Sequence, residues 1–163
     1  MSSNFYIIDT SSLVELNKNN PQDVYPGPWK KIEDLAKSGR LVAPKEVLNE
    51  IQEIDDTLAR WAKNQKKIFI PPTPKQINLI KDILEKYPAI IKINRKYDAD
   101  PWVIALAIEL ASDPQTSLFT IKRIVVTEEK IRGNRIRIPF VCQDYKIEAI
   151  DILDMFRSEG WKF

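Results

Sequence analysis

Residues 4–16 read NFYIIDTSSLVEL, and the fold follows from how this stretch divides. Residues 5–8 are a short apolar run of aromatic and β-branched side chains, the composition of a buried strand. The run stops at Asp9. Thr10, Ser11 and Ser12 supply hydroxyls that can open a helix, and Leu13, Val14 and Leu16 resume an apolar pattern. A carboxylate between a first buried strand and the helix after it stands where open α/β sheets place their sites. Two readings of Asp9 compete. Either Asp9 or a neighbouring hydroxyl caps the helix, or the carboxylate belongs to a site.

Outward from this stretch the chain alternates. Residues 17–28 form a polar, Pro-rich loop, and residues 29–38 a helix closed by Gly39. Residues 41–43 read as a second strand. Pro44 opens a long helix to about residue 64, with Val47, Ile51, Ile54, Leu58 and Trp61 as its apolar stripe. Glu46 and Glu50 fall beside that stripe, near the helix N-terminus. Residues 68–70 are a third strand. Thr73 caps a helix that begins at Pro74 and runs to about residue 87. Residues 89–97 are a further short helix or an ordered loop. In residues 97–110, YDADPWVIALAIEL, Pro101 fits the first helical position and Asp100 the cap. The helix that follows is apolar nearly all round, as a buried one is. Asp98 is then one acid more than capping needs.

Residues 112–120 read as a loop, 123–127 as a fourth strand and 138–141 as a fifth, placed at an edge by Pro139. Asp144 begins the last turn. Residues 146–158 form a terminal amphipathic helix that Gly160 ends, with Trp161 and Phe163 packing back. Strands alternating with helices give an α/β fold: a three-layer α/β/α sandwich around a mainly parallel five-stranded sheet. The length of 163 residues fits one domain, residues 1–163.

Composition narrows the chemistry. The chain has no histidine, which removes Ser-His-Asp and Cys-His catalysis and any His-ligated zinc or iron. Four glycines, with neither GxxxxGK[ST] nor GxGxxG, leave phosphate-loop and dinucleotide readings without their motifs. The lone Cys142 cannot pair within the chain and reads as a buried thiol, which fits a reducing cytoplasm. No secretory signal or membrane-length apolar run is legible, so a cytoplasmic protein without a membrane partner is expected. The acids carry the remaining signal. In right-handed β–α units, Asp9, Glu50, Asp98, Asp100, Glu128 and Glu129 converge on the carboxyl edge of the sheet. Carboxylates gathered without histidine repel each other, and a hard divalent cation, Mg²⁺ or Mn²⁺, is the natural compensation.

These residues resemble the PIN-domain nucleases, including the VapC-like toxin ribonucleases. Asp9-Thr10-Ser11-Ser12-Leu13 is similar to that family's opening D-[ST]-[SN]-x-[LIV]. Pro44, Val47 and Glu50 are similar to its P-x-x-V-x-x-E, and Asp100 with Ala105 and Ala107 to its Asp before an Ala-rich helix. Val126-Thr127-Glu128-Glu129 is similar to its V-T-x-D, with Glu129 in the place of the usual Asp. The likeness runs from Tyr6 to Val141, and residues 138–163 resemble a little-characterised prokaryotic PIN-like subgroup.

The resemblance implies a PIN-like domain that is a metal-dependent endoribonuclease. Asp9 and Asp100 would be the first Mg²⁺ or Mn²⁺ ligands, Glu50 the next, and Glu129 would act directly or through water. Thr10 or Ser11 would orient Asp9 or a phosphate; Asp98, Glu128, Asp144 and Thr127 stand behind them. RNA is the implied partner. A toxin of this kind would also meet a small antitoxin protein, and a homodimer is compatible with the family.

Lys122, Arg123, Lys130, Arg132, Arg135 and Arg137 fall within 16 residues. The bland reading is a solvated hairpin protecting an edge strand. The functional one is that Arg132 and Arg135, with Lys130 and Arg137, hold the RNA backbone. Two other functions compete with the nuclease. One is a non-catalytic PIN-like RNA-binding or protein-interaction module. The other is an aspartyl-phosphate phosphatase, disfavoured because Ser11 stands where that chemistry wants a second Asp.

Overall fold

In the computed structural model, residues 2–112 and 120–163 are described. Five strands form one all-parallel sheet: β1 (Ser2–Ile8), β2 (Leu41–Pro44), β3 (Phe69–Ile70), β4 (Thr120–Val126) and β5 (Glu148–Ile150), in the order β3-β2-β1-β4-β5. The helices are α1 (Thr10–Asn19), α2 (Pro26–Lys37), α3 (Lys45–Ile54), α4 (Asp56–Lys63), α5 (Pro74–Lys86), α6 (Asp100–Ala111), α7 (Ile138–Asp144) and α8 (Ile152–Ser158). They flank the sheet as a three-layer α/β/α sandwich. No helix among the described residues is long and apolar enough to cross a membrane.

The order reverses direction between β1 and β4, which pair in parallel from Ser2↔Thr120 to Ile8↔Val126. An open sheet leaves a crevice outside its carboxyl ends at such a switch point. Strand β1 is central, and Tyr6, Ile7 and Ile8 are wholly buried. Helix α6 packs on β1, β2 and β4. Its residues from Val103 to Ala107 are all buried, which is why it is apolar on every side.

Several boundaries differ from the sequence reading. Residues 44–64 make two helices. Asp55 breaks them, capping α4 by accepting from Leu58 N at 2.9 Å. The break turns Ile54 out to 58% exposure, although Val47, Ile51, Leu58 and Trp61 stay buried as the stripe implies. Residues 138–141 are not a strand. They open α7, where Pro139 sits in the first turn and needs no N–H partner, while Ile138, Val141 and Cys142 face the core. The edge position belongs to β5, which pairs Ile124↔Glu148 and Val126↔Ile150.

The terminal helix is correspondingly short, and Asp151 caps it by accepting from Asp154 N at 2.9 Å. Asp144 closes α7 instead of opening a last turn. Residues 89–97 are a 3₁₀ turn (Pro88–Ile90) followed by irregular chain. The loop expected over residues 112–120 falls, for 113–119, outside the described residues, and Thr120 already belongs to β4. Gly160 ends α8 at φ +70°, and Trp161 and Phe163 pack on Phe156 with ring centroids 5.3 and 5.6 Å away.

The two isoleucines Ile7 and Ile54 separate these effects. Ile7→Ala, in the fully buried central strand, should cost ~2–5 kcal/mol in urea unfolding. Ile54→Ser, inward by sequence periodicity but exposed at the helix break, should stay within ~0.5 kcal/mol of wild type. Equal losses would contradict this packing.

Candidate metal centre

The carboxyl edge of the sheet gathers the acids. Asp9 follows β1, and its backbone N–H extends the ladder to Val126 O at 2.8 Å. It occupies the N-cap position of α1, but its side chain makes no capping bond. Instead Asp9 Oδ2 accepts from Ser11 Oγ at 2.7 Å and from Thr127 Oγ1 at 3.0 Å. Thr127 follows β4, so the two hydroxyls fix the Asp9 rotamer across the switch point. Among the described residues Asp9 Oδ1 has no hydrogen-bond partner. The capping reading of Asp9 therefore fails on geometry.

Glu50 comes from α3 and is buried, at 6% exposure. It joins three segments. Its Oε1 accepts from Thr10 Oγ1 at 2.6 Å, and its Oε2 accepts from Ala99 N at 3.0 Å at the entrance to α6. Arg95 Nη1 adds an ion pair to Oε2 at 3.7 Å. Asp100 is the first residue of α6 and not its cap, which is Ala99. A carboxylate there still meets the positive end of the helix. Glu50, Asp98 and Asp100 each present an oxygen within 4.8 Å of the others. Asp98 is mainly a hook: Oδ2 accepts from Lys92 N at 2.7 Å and Oδ1 from Asp100 N at 3.3 Å. Glu129 holds α7 through Oε2, which accepts from Ile138 N at 3.0 Å, and turns Oε1 toward Lys92.

Lys92 is the residue that the sequence reading missed. Its Nζ lies 2.9 Å from Asp100 Oδ2 and 3.0 Å from Glu129 Oε1. The contact to Asp100 is an ion pair off the hydrogen-bonding direction, so buried Asp100 Oδ2 has no directed hydrogen bond. The available signal was Lys92, Arg95 and Lys96 crowded just before Asp98-Ala99-Asp100.

Burial sets the charge state. It pushes Asp9 up to about 6 against the pull of the Ser11 hydroxyl, with Glu129 and Glu50 adding repulsion. Burial, then Asp9 and Glu129, push Asp100 up to about 8. Burial works against the Lys92 ammonium, but Asp100 and Glu129 outweigh it and hold its pKa above the ordinary value.

Other expected site residues lie elsewhere. Glu128 turns away, accepting from Ser12 Oγ at 2.5 Å and from Ile152 N at 3.2 Å. Asp144 is exposed and pairs with Lys86 at 2.6 Å and with the Tyr87 hydroxyl, so it does not join the acids. Lys130 is tied to Asp151 at 2.8 Å. Arg132 and Arg135 are exposed, and among the described residues they and Arg137 form no ion pair.

A family model described as a domain of unknown function (DUF4411) matches residues 6–163. No curated protein matches the chain.

Raised carboxyl pKa values carry a definite sign. A folded state that holds protons the unfolded chain releases near pH 4 loses stability as pH rises. Without metal, melting temperature should therefore fall from about pH 4, where the unfolded carboxyls ionise, up to the folded Asp9 and Asp100 values of about 6 and about 8, and level off above them. Asp100→Asn should flatten the upper part of that fall. At pH 8.5 it should melt higher than wild type by at least ~2–4 °C, the shift that ~1 kcal/mol produces in a domain of this size. Parallel profiles for the two proteins would contradict the burial of an ionised Asp100.

Proposed function

The chain belongs to that family, whose description carries no activity, and we propose from the site itself that it is a metal-dependent phosphodiesterase of the PIN type that cleaves RNA. One observation carries the reading. Asp9 and Asp100 arrive from the end of the central strand and the start of the buried helix, both buried, where Asp9 Oδ1 has no hydrogen-bond partner among the described residues and Asp9 and Glu129 repel Asp100. Capping does not use them, and several carboxylates gathered away from water repel one another unless a cation compensates them.

The donor set fits Mg²⁺ or Mn²⁺. It is all oxygen, with no histidine in the chain; Glu50, Asp98 and Asp100 lie within reach of one another, and Asp9 stands near enough to Asp100 for their charges to repel. An oxygen already accepting one hydrogen bond keeps a second lone pair. Asp9 and Asp100 would hold the ion, with Glu50 next and Glu129 direct or through water. When bound, such an ion lowers the pKa of a water and stabilises charge developing on a phosphate. The chain's own groups do the positioning. Ser11 and Thr127 fix Asp9. Thr10 and Ala99 fix Glu50, which in turn braces the entrance to α6. The segment after Glu129 carries Arg132 and Arg135, which form no ion pair among the described residues and whose guanidinium forks suit phosphate oxygens. The same reading extends to the toxin of a toxin–antitoxin pair, with a small antitoxin as partner, and to a homodimer.

A non-catalytic binding module is the second reading, favoured by one observation: Lys92 already pairs with Asp100 and Glu129. Incubating purified protein with single-stranded RNA and Mn²⁺ separates the two. Cleavage is expected, lost in Asp9→Asn by more than the ~10–100-fold that removing a ligand's supporting partner costs. RNA that is bound but left intact supports the module.

The basic segment has its own measurement. Arg132→Ala with Arg135→Ala should weaken RNA binding across sequences and reduce its salt slope by roughly 0.7 per lost phosphate contact. Unchanged affinity and slope would leave the segment as a solvated connection only.

A further inference from the structure

The irregular chain between the 3₁₀ turn and α6 delivers a cation into the acid cluster and fixes it there. Lys92 is anchored by its backbone, because Asp98 accepts from Lys92 N with one oxygen and from Asp100 N with the other. The residue that carries the ammonium is thus stapled to the helix that carries Asp100. Its side chain is 37% exposed, yet Nζ sits 2.9 and 3.0 Å from Asp100 and Glu129. Among the described residues no other cation forms an ion pair with either acid. An ammonium shared by two carboxylates does the electrostatic work of a shared divalent ion, with one charge in place of two. A second, mobile cation cannot use the same Asp100 oxygen at contact distance without strong repulsion in so poorly solvated a place.

We propose that Lys92 is a tethered cation that fills one of two cation positions in the acid cluster, so that the site takes one divalent ion and not two. The inference rests on the metal-dependent reading above. Lys92 is then a positioning residue for Asp100 and Glu129, and the ion count is the property it controls.

Counting ions tests this directly. Mn²⁺ is titrated into the full chain and the free ion followed by electron paramagnetic resonance, with melting temperature measured in parallel. The wild type should bind one ion per chain. Lys92→Met, of similar length but uncharged, should bind two, and Mn²⁺ should raise its melting temperature more than that of the wild type. Lys92→Arg should return the count to one. If the Met variant fails to fold, Lys92→Gln keeps a hydrogen-bond donor without the charge and should also bind two. A wild type that binds two ions overturns the proposal whatever the variants do. One ion in both wild type and neutral variant, with equal affinity and thermal response, overturns the tethered cation alone. No ion in either overturns it together with the metal-dependent reading. No ion in the wild type and one in the neutral variant overturns both, and leaves Lys92 as the cluster's own counter-ion.

Discussion

Negative charge at the carboxyl edge of the sheet is the constraint around which the other contacts are arranged. Asp9, Glu50 and Asp100 are buried, and Glu129 and Asp98 lie beside them. Carboxylates removed from water keep their charge only if something replaces the lost hydration. Three kinds of group do so here. Hydroxyls from Thr10, Ser11 and Thr127 donate to Glu50 and Asp9. Backbone N–H groups of Ala99 and Ile138 donate to Glu50 and Glu129. Lys92 and Arg95 bring formal positive charge. The elevated pKa values of Asp9 and Asp100 show that these groups compensate only in part.

The parallel sheet is what makes this concentration of acids geometrically available. Parallel strands end on the same side, so each residue just past a strand faces the same crevice. Asp9 follows β1 and Thr127 follows β4, its immediate neighbour in the sheet. Glu50 reaches the crevice from the helix after β2, and Asp100 from the start of a helix packed on β1, β2 and β4. Two helices therefore present their positive ends to buried acids, α1 to Asp9 and α6 to Asp100. An antiparallel arrangement would divide these positions between two edges.

The sheet and the main acids were legible in sequence because each is tied to a periodic element. Ile8-Asp9 and Val126-Thr127 mark strand ends, and the apolar helix after Asp100 could only be buried. Asp98 was visible as an acid beyond the needs of capping, although its part as a backbone hook was not. Lys92 was hidden for a physical reason. It lies on chain with no period, and it reaches the acids through the Asp98 hook and a side-chain conformation that no pattern encodes. Residues 138–141 were misread because a four-residue apolar run fits a strand or a first helical turn equally well. There Pro139 starts a helix, where an edge strand would carry the same residue. The continuous apolar stripe over residues 47–61 concealed the Asp55 cap, since a broken helix can keep most of one face buried.

The charge arithmetic of the crevice bears on how a phosphate could approach it. Five carboxylates stand against two cations, Lys92 and Arg95, so the fully ionised cluster repels any anion. One divalent ion would reduce that repulsion without reversing it; two would make the crevice weakly positive. Under a one-ion reading the attraction for an RNA backbone has to come from outside the crevice. The segment that begins at Glu129 would supply it, because among the described residues Arg132 and Arg135 pair with no acid. By contrast Lys130 is neutralised by Asp151, and Lys86 by Asp144. Under the proposed function the labour would be divided: the arginines would hold the strand, and the acids would act only on the phosphate brought to them. A binding module that never turned over its ligand would need the first of these without the second. The buried, incompletely compensated carboxylates are therefore the feature that binding alone leaves unexplained.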